Sequence, residues 1–184
     1  MTITRLDLPG AVVFEPTVHR DERGFFVETL RSEWFDEVGH VGEWVQDNHS
    51  RSAKGVLRGL HYQTHPGQVK LVRCARGRIF DVIVDIRRGS PTFGRWASAV
   101  LDDVDHRSIL IPIGFAHGFV VLSDVADVVY RCSAYYDPAT EAGFRFDDPE
   151  VGVEWPTDLD LTVSDRDRVA PSFAAVRDGL PFVF

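Results

Sequence analysis

The sequence predicts an all-β sandwich or barrel with a few short helices. Three observations carry this. Short runs rich in Val, Ile, Phe and Tyr recur along the 184 residues. Turn chemistry separates them, as at Arg88-Gly89-Ser90-Pro91, Asp102-Asp103, Pro112 with Gly114, and Asp137-Pro138. Apolar spacing of the helical kind is nearly absent.

Taken in order, strands are predicted over 12–16, 24–30, 56–63, 69–75, 79–86, 96–101, 108–113, 117–122 and 125–134. The pair 69–75 and 79–86 reads as a hairpin turning at Gly77. In its second arm Phe80, Val82, Val84 and Ile86 share one face, and Asp81 and Asp85 the other. A short helix is predicted over 31–38 with Ser32 as N-cap, and another over 172–179, stopped by Gly179. No repeat, low-complexity tract or linker interrupts the chain, so residues 1–184 are expected to form one domain.

Composition narrows the function classes. The net charge is −8 with no basic stripe, which argues against nucleic acid as a partner. An anionic small ligand stays possible if Arg and Lys gather locally. Cys74 and Cys132 sit on separate strand-like runs without CxxC spacing, as expected of reduced, buried thiols in the cytoplasm. The N-terminus lacks a signal-peptide pattern, and no apolar run approaches the ~20 residues of a membrane span, so no membrane association is expected. Gly55 and Gly59 form a GxxxG outside any apolar helix, and Asn48-His49-Ser50 fits a sequon without a secretory context.

Four proton-active side chains sit in otherwise apolar strands or strand ends: His61, Lys70, His117 and Tyr130. Burial of such groups is costly unless they are partnered. His61 can be a hydrogen-bonded core residue or a general base, for which its reference pKa near 6.5 suits it. Strict alternation aims Arg58 away from His61, unless Gly59 marks a bulge that turns the chain. His117 lies between two glycines in what reads as a strand-ending loop, a common place for binding groups. Tyr130 shares a face with Cys132, Ala134 and Tyr136, and serves either packing or proton donation. Lys70 is either an edge-strand charge or a stabiliser of a developing oxyanion. A metal held by His61, His65 and His117 is disfavoured, because no Glu follows at the spacing of a metal-binding jelly roll.

Several longer motifs accompany these residues: Asp21-Glu-Arg-Gly-Phe-Phe26, Gln46-Asp-Asn-His-Ser50, Gly55-Val-Leu-Arg-Gly-Leu-His-Tyr-Gln63, Val82-Ile-Val-Asp-Ile-Arg87 with Ser90-Pro-Thr-Phe-Gly94, Gly114-Phe-Ala-His-Gly-Phe119, Asp147-Asp-Pro149, Trp155-Pro156 and Leu161-Thr-Val-Ser-Asp-Arg-Asp167. With them the chain closely resembles the dTDP-4-dehydrorhamnose 3,5-epimerases over nearly its whole length. The resemblance implies a cupin-type jelly-roll barrel, a homodimer, no cofactor and no metal. It implies that His61 is the base, Asp167 its carboxylate partner, Tyr130 the acid on the opposite sugar face, and Lys70 the stabiliser of the enolate. It matches Arg23, Glu28, Gln46, Asn48, Arg58, His117, Glu141 and Arg166 to positions that hold the nucleotide sugar, and Tyr136 to the residue that stacks on thymine. The implied substrate is a dTDP-4-keto-6-deoxy sugar, inverted at C3, C5 or both. A non-catalytic sugar-binding jelly roll and a metal-dependent oxygenase are the alternatives from other classes.

Overall fold

A computed structural model describes residues 1–40 and 42–184. Its strands are β1 (Thr2–Arg5), β2 (Val12–Glu15), β3 (Val18–Asp21), β4 (Gly24–Val27), β5 (Gln46–Ala53), β6 (Val56–Gln63), β7 (Lys70–Arg76), β8 (Arg78–Asp85), β9 (Trp96–Asp102), β10 (Ser108–Ile111), β11 (Phe115–Val121), β12 (Val125–Cys132), β13 (Glu141–Gly143) and β14 (Thr162–Val163). Three short helices join them: α1 (Ser32–Asp36), α2 (Asp165–Arg168) and α3 (Phe173–Val176). No helix among the described residues is long and apolar enough to cross a membrane.

Two sheets form the body. The first runs β1-β2-β10-β7-β12-β5, and the second β13-β6-β11-β8-β9 with β14 added in parallel to β6. Their inner faces enclose a core that includes Val13, Val72, Ile83, Ile109, Phe119 and Val128. The outer face of the second sheet is covered by the C-terminal segment, where Phe144, Phe173, Leu180 and Phe182 pack on Val82 and Val84. This explains a run in β8 that is buried on both faces. On the outer face of the first sheet, Trp34 and Phe35 of α1 pack on Phe14, Leu71 and Leu110. The architecture is an all-β sandwich, as the strand pattern predicted, and the jelly roll that the resemblance implied.

All nine predicted strands form, with ends shifted by a few residues. The hairpin at Gly77 does not. β7 pairs with β10 and β12, while β8 pairs with β11 and β9. Gly77 therefore carries the chain from one sheet to the other. Its φ is +79°, and a Cβ there would lie 2.1 Å from the Val125 carbonyl oxygen, so a turn glycine was legible but its purpose was not. Ser32 is also corrected: it is the first helical residue, and Arg31 holds the cap position without a side-chain cap bond. The C-terminal helix is capped by Ser172, whose hydroxyl accepts from the Ala175 N–H, and tightens into a 3₁₀ turn over Arg177–Gly179. β5 escaped the sequence reading because Gln-Asp-Asn-His-Ser-Arg-Ser-Ala is almost wholly polar. Its place is set by pairing with β12 along its whole length.

Candidate active site

One end of the barrel opens into a cavity of about 650 Å³ between the two sheets. His61 on β6 and His117 on β11 line it from the second sheet; Lys70 on β7 and Tyr130 on β12 line it from the first. Gln46 and Asn48 of β5 and Arg58 of β6 reach the same space. Tyr136, Glu141, Arg166 and Asp167 close its rim. Eleven of the thirteen residues singled out from the sequence thus converge, and Arg23 and Glu28 do not. Arg23 sits in the exposed β3–β4 turn, bound to Asp21, and Glu28 pairs with Arg31 at 2.8 Å on the flank of α1.

The bulge at Gly59 explains how Arg58 and His61 share a cavity. His117 pairs with His61, yet Phe119 pairs with Arg58, so two residues of β11 span three of β6. Gly59 has φ +133°, and its Cα packs against Gly118, where a Cβ would come within 2.5 Å. The guanidinium of Arg58 is then fixed by donating to Ser52 Oγ at 3.0 and 3.1 Å.

His61 meets its partner from an element absent from the sequence reading. Ser164 caps α2, its hydroxyl accepting from the Asp167 N–H at 3.1 Å. That turn aims Asp167, which is 4% exposed, at the imidazole: His61 Nε2 lies 2.6 Å from Asp167 Oδ1. Asp167 Oδ2 accepts from the Gly59 N–H at 3.3 Å. Burial pushes the Asp167 carboxyl up, but the His61 hydrogen bond and charge, with Gly59 and Ser164, hold it below the ordinary value. An ionised Asp167 accepts from Nε2–H and so selects the tautomer in which Nδ1 of His61 carries the lone pair.

The other groups are tuned by burial. Burial raises the Tyr130 hydroxyl, with Cys132 and Glu141 adding and Arg58 opposing, so the phenol stays a proton donor at neutral pH. Burial lowers the Lys70 ammonium, while Cys132, Glu141 and Asp81 draw it back. At the rim Glu141 accepts from Tyr136 Oη at 2.8 Å and from Arg166 Nη1 at 2.5 Å. Gln63 pins this wall: its amide donates to the Asp137 carbonyl at 2.8 Å and accepts from the Asp137 N–H at 3.0 Å. His117 is corrected in one respect. It lies inside β11, not in a loop, and binds the fully buried Asp81 at 2.8 Å. Among the described residues no three His, Cys, Asp or Glu side chains gather as a metal site requires, and His65 lies outside the cavity.

Residues 5–175 match the family model described as dTDP-4-dehydrorhamnose 3,5-epimerase. The chain belongs to that family. It is 49% identical over 175 residues to the dTDP-4-dehydrorhamnose 3,5-epimerase of Pseudomonas aeruginosa, covering 95% of this chain and 97% of that one. It superposes on the rmlC epimerase of Mycobacterium tuberculosis with a TM-score of 0.95 at 48% identity, covering 100% of this chain and 94% of that one. A TM-score of 0.95 at 42% identity, covering 100% and 98%, relates it to the dTDP-6-deoxy-D-glucose-3,5-epimerase of Legionella pneumophila, solved in complex with dTDP-4-keto-L-rhamnose.

Two of the family-like motifs are structural in this chain. Asp85 is fully buried and accepts from Arg87, Ser90 and Thr92, with both hydroxyls at 2.6 Å. Asp148 accepts from the Phe173 N–H at 2.9 Å and so docks α3. Ser52, Gln63, Asp81 and Ser164 were missed as supports of the site. For Ser164 the signal was present: a serine followed three residues later by a carboxylate marks a helix start.

Proposed function

We propose that this chain inverts C3 and C5 of dTDP-4-dehydro-6-deoxy-D-glucose, giving dTDP-4-dehydro-L-rhamnose. The observation that carries this reading is the placement of His61, bound to Asp167 of α2, on one sheet and of Tyr130 on the facing sheet of a single cavity, with Lys70 on the strand next to that of Tyr130. The C4 ketone of such a sugar acidifies the hydrogens on C3 and C5. His61 Nδ1 takes one of them as base. Lys70 offsets the charge that develops on the ketone oxygen. Tyr130 returns a proton from the other face, and the centre inverts. Arg58 and Arg166 offer charge-assisted hydrogen bonds to a diphosphate, and the exposed ring of Tyr136 offers a stacking surface for thymine. Every step moves a proton to or from a side chain, so the chemistry calls for no cofactor.

The curated relative from Pseudomonas and the sugar-bound Legionella structure support the same substrate class. The deciding experiment is incubation with dTDP-4-keto-6-deoxyglucose in D₂O, with the deuterium located by NMR. Label at both C3 and C5 with inversion is expected. Label at one centre alone makes the chain a monoepimerase, and tight dTDP binding with no label makes it a sugar-binding protein.

We also propose that the chain works in the cytoplasm as a homodimer whose partner completes the site. Arg23 and Glu28 match nucleotide-sugar positions but lie outside this chain's cavity. The hairpin that bears Arg23 presents Phe25 and Phe26 at 54% and 70% exposure. An exposed aromatic pair on a hairpin outside the two main sheets fits insertion into a second copy.

A further inference from the structure

The loop between β12 and β13 crosses from the first sheet to the second along the cavity rim and carries Tyr136. Its residues 133–140 belong to no strand or helix, yet two of its peptide groups are held by glutamine side chains, one from each sheet. Gln46 of β5 accepts from the Tyr136 N–H at 2.7 Å. Gln63 of β6 accepts from the Asp137 N–H at 3.0 Å and donates to the Asp137 carbonyl at 2.8 Å. One side chain thus meets both backbone groups of Asp137, as a neighbouring strand would. We infer that Gln63 is a positioning residue for the nucleobase: with Gln46 it clamps the loop, so that the Tyr136 ring is set for stacking before a nucleotide arrives. This rests on the stacking role proposed above for Tyr136.

Gln63 is suited to act through the loop and not by touching the ligand. It is 5% exposed, and its amide also donates to Thr140 Oγ1 at 3.0 Å, so its donors are spent within the protein. Its strand anchors the far end of the same loop. Glu141 of β13 is its pairing partner, and the Thr64 N–H donates to the Thr140 carbonyl at 2.8 Å. Tyr136, by contrast, is 48% exposed, with its Oη tied to Glu141. A ring on a free loop loses conformational freedom when a base stacks on it, and that loss is subtracted from affinity. The Tyr136 and Asp137 N–H groups belong to the two peptide planes that flank the Tyr136 Cα. Holding both planes removes most of that freedom in advance. Asn would be one methylene shorter, and Glu would set a carboxylate oxygen against the Asp137 carbonyl.

Gln63→Met keeps the length of the side chain and removes its hydrogen bonds to the loop. Binding is read by calorimetry with two probes, dTDP and inorganic pyrophosphate, which lacks the base. The dTDP Kd is expected to rise about tenfold, and the pyrophosphate Kd to change by less than about twofold. On the keto sugar KM should rise about as much as the dTDP Kd, with a smaller effect on kcat, since stacking is remote from the reacting carbons. Tyr136→Ala should weaken dTDP to a similar extent. Adding Gln63→Met to it should cost less than about twofold more, because the platform is already gone. A glutamine that only supports the fold would weaken both probes, and its loss would add in full to that of Tyr136. Either result overturns the inference, as does an unchanged dTDP Kd in folded Gln63→Met. Unchanged dTDP affinity in Tyr136→Ala removes the stacking role, and this inference with it. One measurement needs no variant to fold. In the wild-type chain without nucleotide, the Tyr136 and Asp137 amides should exchange with D₂O well below free-loop rates, and exchange at free-loop rates overturns the clamp. None of these readouts of binding depends on turnover, so failure of the epimerase reading shows separately, as absence of deuterium in the sugar.

Discussion

In the proposed mechanism His61 serves as base because Asp167 fixes which of its nitrogens carries the proton. Asp167→Asn keeps the volume but offers a neutral partner. Its kcat should fall about 10–100-fold with little change in dTDP affinity, measured by steady-state kinetics and calorimetry. His61→Ala and Tyr130→Phe should separate the two halves of the reaction. The first should abolish deuterium exchange into the sugar. The second should retain exchange at the face His61 serves and lose inversion by about 10²–10⁴-fold, followed by NMR in D₂O. Exchange at the wild-type rate in His61→Ala would remove His61 from its role. These residue types were legible in the sequence, because a titratable group in an apolar strand is costly and calls for a reason. Asp81 was read only as one face of a strand, because alternation shows which side a carboxylate takes and not what waits there.

At the scale of elements, the bulge in β6 decides the site. Gly59→Ala adds a methyl at φ +133° against Gly118, 2.5 Å away. Loss of several kcal/mol of stability is expected, with loss of activity in whatever folds, read by denaturant unfolding and turnover. The pairing of β5 with β12 makes a second, pH-dependent prediction. Arg51 donates to both oxygens of Asp127 at 2.6 and 2.7 Å. That bond, with the nearby His49, holds the Asp127 carboxyl at about 2. A lowered folded-state pKa contributes stability above the unfolded value and loses it as pH falls through the folded one. The Tm deficit of Asp127→Asn should therefore be constant above about pH 5 and vanish towards pH 2. A deficit that persists at pH 2 would count against this pair. Nine strands were legible because alternation and turn residues are local signals. β5 and α2 were not, since a polar strand and a four-residue helix owe their existence to partners far along the chain.

For the whole molecule the decisive question is whether one chain holds a complete site. If Arg23 serves the partner's cavity, then Arg23→Ala and His61→Ala chains should complement each other. Each homodimer is impaired, but a hybrid dimer carries both substitutions in one site and leaves the other intact. Co-expressed in equal amounts, the pair should recover about a quarter of wild-type turnover. No recovery would mean that Arg23 acts in its own chain or not at all.

The amino-acid order alone determined nine of the strands, the acid–base chemistry available and, through long motifs, the family. These rest on spacing and side-chain type, which neighbours in sequence define. Only the tertiary structure decided that Gly77 turns between sheets, that Arg58 joins His61 across a bulge, that Asp167 and Asp81 each meet an imidazole, and that Arg23 stands apart. Such meetings bring together groups tens of residues apart, and their energies depend on burial and charge that no local pattern specifies.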